Sequence, residues 1–328
     1  MKKKNSILII LMTVFTLMIF TSCLAKSTTR DNQSASDTAE KKPGEISVSM
    51  EVSPENYPRI DGSTSTLKLV QEIYKEVFKY AGYQLSNLPQ EASKTVPSYE
   101  KLISNQVDMI LVPYASEEVL NKAQKAGAQL EFHPISLEAL IFITAKDNST
   151  QNITKEQVQK IYIDYGIDNW KKLSGPDKEL IPLCRNADSG SQSQMDNLVL
   201  MGKPMNEKIK NNFVELTMEG LLEQAAFYHN VSKKDCFGLG YTLYYYLQNM
   251  SSVTGIGNRL KILNYEGVAA TPETIADGSY SLATSYYAVV RSDLPKDHSA
   301  RNLVKWLSSK YGSECITKSG LTPLSKYN

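Results

Sequence analysis

The chain has 328 residues, and 36 basic against 35 acidic side chains leave a formal charge of +1. That balance excludes the broad basic face that nucleic acid demands, so any anion site must be built locally. Four cysteines without a C-x-x-C pair and three scattered histidines (His133, His229, His298) give no sign of a metal cluster, a disulfide framework or a Ser-His-Asp arrangement.

Met1 to Ser22 reads as a targeting segment. Lys2, Lys3 and Lys4 precede an apolar run from Ile7 to Phe20, which is short for a membrane span. Phe20-Thr21-Ser22-Cys23 resembles a bacterial lipobox, in which Cys23 takes a lipid (palmitate) chain and becomes the mature N-terminus. An ordinary signal peptide with a chance cysteine is the alternative. Removing residues 1–22 takes away three lysines and no acid, leaving 33 basic against 35 acidic residues, a formal charge of −2. Residues 23–55 are mostly polar and read as a flexible tether. The remainder is long enough for two domains or one large α/β domain.

Tyr57 to Thr66 follows, with Gly62 at a turn and four hydroxyl residues (Ser63, Thr64, Ser65, Thr66) in a row. Leu67, Val70, Ile73, Tyr74, Val77 and Phe78 then recur at helical spacing. A hydroxyl-rich turn entering a helix presents donors and a favourable dipole to an anion. The plainer reading is a generous N-cap, but four hydroxyls exceed what capping needs. Thr95 stands at another helix start, with Pro97 in its first turn. Val107 to Val112 reads as a buried strand ending at Pro113. Leu137 to Thr144 reads as a strand, and Thr154 caps a helix containing Val158, Ile161 and Tyr162.

Leu183 to Gln192 is the centre of the chain. An apolar strand end (Ile181 to Cys184) leads through Arg185, Ser189, Gly190 and Ser191 into a helix marked by Met195, Leu198 and Val199. Arg185 offers a planar fork of donors, the two serines offer hydroxyls, and Gly190 lets backbone approach a ligand closely. A capped surface helix with an unrelated arginine is the competing reading. Cys184 is most simply a small buried hydrophobe, with a Cys184–Cys236 bridge left open. The tyrosine-dense stretch Gly238 to Tyr246 reads, from its spacing, as helical core packing. Ile262 to Tyr265 and Ala283 to Val290 read as strands. Asn302 to Trp306 begins a helix ending near Gly312. Strands alternating with helices imply an α/β fold with largely parallel sheets.

Taken together, these residues resemble a family. Asp61-Gly62-Ser63-Thr64-Ser65, Ile161-Tyr162 with Asn169-Trp170, Arg185 with Ser189-Gly190-Ser191-Gln192, Gly240-Tyr241 with Tyr244-Tyr245-Tyr246, and Tyr286-Tyr287-Ala288-Val289 are similar to stretches of the phosphate-binding lipoproteins of bacterial high-affinity phosphate ABC importers. The resemblance runs from about Pro58 to Leu324. It implies a two-lobed type II periplasmic-binding-protein fold with two crossings between lobes, near Thr144 and Ala283. Lobe 1 is then 56–143 plus 284–328, and lobe 2 is 144–283.

It also implies that Thr64, Ser65, Thr66 and Thr95 hold phosphate from the first lobe, and Arg185, Ser189, Gly190 and Ser191 from the second. Implied partners are inorganic phosphate or a related tetrahedral oxyanion, ABC permease and ATPase subunits, and a membrane reached through the lipid anchor. The implied protein is a monomer on the extracellular face of the cell membrane. No catalysis, cofactor or metal is expected. One departure stands out. The family's proton-accepting cleft aspartate falls at Pro113, and the usual acid two residues after the arginine is Ala187, with Asp188 adjacent. This departure motivates a second reading, a binding-protein-like sensor or adhesion module with relaxed or lost oxyanion specificity.

Overall fold

The computed structural model describes residues 50–81, 87–232 and 235–324. The proposed leader, Cys23 and most of the tether lie outside the described residues. Met50 and Val52 already pack against the core, so the folded part begins before residue 56.

In chain order the elements are β1 (Ile60–Gly62), α1 (Leu67–Phe78), α2 (Thr95–Ile103), β2 (Met109–Pro113), α3 (Glu117–Lys125), β3 (Leu130–Ala145), β4 (Asn152–Ile153), α4 (Lys155–Tyr162), β5 (Glu179–Pro182) and β6 (Cys184–Arg185). There follow α5 (Gly190–Gln194), which runs on as a π-helical turn over Met195–Leu200, then α6 (Glu207–Asn212), β7 (Val214–Glu215), α7 (Met218–Ser232), β8 (Cys236–Leu243) and α8 (Tyr244–Thr254). The chain closes with β9 (Leu260–Ile262), β10 (Asn264–Tyr265), α9 (Pro272–Ala276), β11 (Ala283–Arg291), α10 (Ser299–Leu307), α11 (Lys310–Lys318) and β12 (Thr322–Pro323).

Local chemistry explains the main pieces. In α1 the buried residues Leu69, Val70, Ile73, Tyr74 and Val77 form one apolar stripe. Thr154 caps α4 by accepting a hydrogen bond from Gln157 N at 3.2 Å. Leu140 to Ala145 is buried at every position, because this end of β3 is covered on both faces.

β3 organises the molecule. From Leu130 to Ala139 it pairs antiparallel with β11, and from Leu140 to Ala145 with β8 and β9. The change of partner falls between Ala139 and Leu140. On one side the order is β1-β2-β11-β3, and on the other β3-β8-β5. β1 pairs parallel with β2 and β5 with β8, but every described partner of β3 runs antiparallel to it. The sheet is therefore mixed, not largely parallel, because one long strand carries the chain from one set of strands to the other.

Two further readings are corrected, and one left open is decided. Cys236–Leu243 is a strand with every residue buried, and the helix begins only at Tyr244. An uninterrupted apolar run does not distinguish a buried strand from a buried helix. The last helix is two. Ser309 caps α11, and Gly312 lies inside it, where a Cβ would sit 2.2 Å from Trp306 O. That glycine marks close packing against the end of α10. Cys184, Cys236 and Cys315 are buried and not joined by disulfides.

Candidate functional site

A cavity of about 180 Å³ opens where the β1–α1 turn, the start of α2, the loop from β6 into α5, and the start of α7 converge. Its first wall is the turn after β1. Ser63 N donates to Leu111 O at 3.1 Å, which ties the turn to β2. Gly62 is required there, since a Cβ would lie 2.8 Å from Leu111 O. Ser63 Oγ lies 2.9 Å from Ser65 Oγ, and Thr64 and Ser65 face the cavity.

Thr66 does not line it. Its side chain is fully buried and donates to Leu111 O at 2.5 Å, so this hydroxyl braces the turn. Thr95 reaches the cavity from the first position of α2. The residue before it, Lys94, also lines the cavity, at φ 76° and ψ 174°. That region of backbone space is nearly glycine-only, and a lysine held there stores strain at the lip of the site.

The second wall is centred on Arg185, buried at the end of β6. Its Nε donates to Glu215 O at 2.9 Å and its Nη2 to Leu216 O at 3.2 Å and to Asn186 Oδ1 at 3.3 Å. Nη1 is buried with no hydrogen-bond partner, and among the described residues no carboxylate forms a salt bridge with the guanidinium. Burial pushes its pKa below the ordinary arginine value. An uncompensated buried cation is expensive, and an anion in the cavity relieves that cost. Ser189, Gly190 and Ser191 complete this wall, with Ser189 Oγ 3.0 Å from Ser191 Oγ. Behind them Tyr241 accepts from Arg185 N at 3.1 Å and donates to Gln192 Oε1, which fixes the loop to β8.

The two walls touch. Val96 N donates to Asp188 O at 3.4 Å, Gln194 Nε2 to Tyr114 O at 3.0 Å, and Asn197 Nδ2 to Ala115 O at 2.9 Å. A Cβ on Gly190 would lie 2.6 Å from Pro113 Cγ and 2.7 Å from Thr95 Oγ1. Pro113 thus supplies packing where the family's acceptor is expected.

Seven of the eight candidate residues therefore gather at one cavity, and Thr66 stands behind it. Sequence reasoning missed the third side, formed by Leu216, Thr217, Met218, Glu219, Leu243 and Tyr246. Glu219 is a carboxylate on this side, and Tyr246 donates to its Oε1 at 2.8 Å. Only Leu243 and Tyr246 carried a signal, through the tyrosine-dense run. Among the described residues no group of three or more His, Cys, Asp or Glu side chains is placed to hold a metal ion.

A mixed sheet traversed by one long strand, with a cavity lined by hydroxyls and an unpaired arginine, defines the substrate-binding-protein class of fold. The family model described as a PBP superfamily domain matches residues 33–310, and the chain belongs to that family. It is similar to the phosphate-binding protein PstS of Borreliella burgdorferi, at 27% identity over 188 residues, covering 56% of this chain and 62% of that protein. The match thus spans less than two thirds of that relative's length. In fold it is similar to the crystal structure of PstS from Borrelia burgdorferi (TM-score 0.50, 22% identity, 80% of this chain and 97% of that one). It is also similar to an ABC-type phosphate transport receptor from Vibrio cholerae (TM-score 0.58, 20% identity, 80% and 98%). No helix among the described residues is long and apolar enough to cross a membrane.

Proposed function

We propose that this chain is an extracytoplasmic solute-binding lipoprotein that captures inorganic phosphate in the cleft and delivers it to an ABC permease. The observation that carries the reading is the buried Nη1 of Arg185, unpartnered at the wall of a hydroxyl-lined cavity. The name of the Borreliella relative supports phosphate as the anion. Donors come from Thr64, Ser65, Thr95, Arg185, Ser189, Gly190 and Ser191, and Cys23 carries the lipid. Lobes of 56–143 plus 284–328 and of 144–283 close over the ligand. The partner change within β3, a few residues before Thr144, supports a first crossing in that strand. Hydroxyls and an arginine aimed at one cavity are accounted for by binding alone, and no catalytic step is assigned.

The test is transport. Cells lacking this chain should take up less radiolabelled phosphate from micromolar medium, with uptake restored by the wild-type gene. Uptake unaffected by the deletion would overturn the delivery role.

A further inference from the structure

We infer that the same cavity also accepts singly substituted phosphates and phosphonates, with a short apolar substituent lying against Leu216, Met218 and Leu243. The inference rests on the oxyanion reading above and extends its ligand class. Two features of the cavity carry it.

The first is room. A single water needs on the order of 15 Å³ of cavity, so an ion of five heavy atoms needs roughly 75 Å³. The cavity offers about 180 Å³. Bare phosphate seated on Arg185 and the hydroxyls does not fill it.

The second is the chemistry of the remaining side. Arg185 and all but one of the side-chain hydroxyls available to an anion sit on the first two walls; the remaining side adds Thr217, whose Oγ1 accepts from Gly220 N at 3.0 Å, and Tyr246, which donates to Glu219. Leu216, Met218 and Leu243 donate nothing to an anionic oxygen, and the Glu219 carboxylate repels one. Met218 Sδ is itself turned to Thr242 Oγ1, at 3.1 Å. Leu243 is buried at the back, while Leu216 is 62% exposed at the mouth. A substituent laid across these three side chains removes Leu216 from water, and burial of that kind is favourable in proportion to the apolar area covered. A phosphonate keeps three oxygens for the donor walls and directs its one carbon toward the apolar side.

The test is a calorimetric series on the purified full-length chain, freed of endogenous phosphate. It uses inorganic phosphate and then methyl-, ethyl- and propylphosphonate. The apolar wall predicts that affinity rises along the three phosphonates by about fourfold per methylene, the ratio that burying one such group gives. Leu216→Ser should flatten that slope. An affinity that is flat or falls with chain length, or phosphonates that do not bind where phosphate does, would overturn the inference and leave the oxyanion reading standing. Failure of every member of the series, phosphate included, would remove both.

Discussion

At the residue scale the account turns on two buried charges held in opposite ways. Arg185 spends its Nε and Nη2 donors on Glu215, Asn186 and Leu216, while its Nη1 is buried without a hydrogen-bond partner. Its geometry is fixed before any ligand arrives, which is the advantage of a planar fork over a lysine. Glu138 is fully buried on β3, one residue before the strand changes partners. Its Oε1 accepts from Ala139 N and from Tyr245 N at the start of α8, both at 2.9 Å. Burial nevertheless dominates and raises its pKa to about 7, against 4.5 ordinarily.

A raised carboxyl pKa means the native state holds a proton that the unfolded state has lost. The resulting stability is fully present below about pH 4.5 and is lost as pH rises through about 7. Glu138→Gln keeps the accepting oxygen and removes the charge. It should raise the melting temperature at pH 8, by up to about 3 kcal/mol in stability, and change little at pH 4.5. Differential scanning calorimetry at the two pH values checks this, and an equal shift at both would contradict it. Arg185 and its hydroxyl neighbours were legible because each stands at a local signal, a strand end running into a helix start. Glu138 and Glu219 were not. Each owes its role to elements distant in sequence, Glu138 to α8 and Glu219 to Tyr246 across 27 residues.

At the element scale the closeness of α5 to β2 is the most testable feature. Gly190 opens α5 directly over Pro113 and Thr95. Alanine favours helix more than glycine by about 1 kcal/mol, so Gly190→Ala suits α5 taken alone. Its methyl, however, cannot occupy the space it would need against Pro113 Cγ. We expect the variant to fold with little change in melting temperature and to bind phosphate at least tenfold more weakly, because the walls can no longer meet. Unchanged affinity by equilibrium dialysis would show that this contact does not govern binding.

Elements with amphipathic stripes or caps, such as α1 and α4, could be read from spacing. The antiparallel pairing of β3 could not. Its apolar run from Leu137 to Thr144 has no alternation, and its partners β8 and β11 lie about 100 and 150 residues away in sequence. The break between α10 and α11 was hidden in the same way, since the reason for Gly312 is the carbonyl of Trp306 and not a helix end.

At the scale of the whole molecule, the described residues fall within one compact unit. Within it the donors of the cavity come from segments on both sides of the β3 partner change. A ligand held by both sets stabilises the arrangement in which they meet, to the extent that it binds that arrangement better than any other. The fold class was legible because a hydroxyl-rich turn near residue 64 and an arginine-serine-glycine loop near residue 188 occur together. What the cavity's third side selects was not, since Leu216 to Glu219 follow no local pattern.

The most direct measurement is titration calorimetry of phosphate into the full-length chain, stripped of bound phosphate, alongside Arg185→Lys. The account predicts a single saturable site in the wild type. It predicts an affinity at least tenfold lower in the variant, since a charge-assisted hydrogen bond of about 1.5–3 kcal/mol is lost. No binding to the wild type, or equal affinity in the two proteins, would contradict the assignment of this cavity as an oxyanion site centred on Arg185.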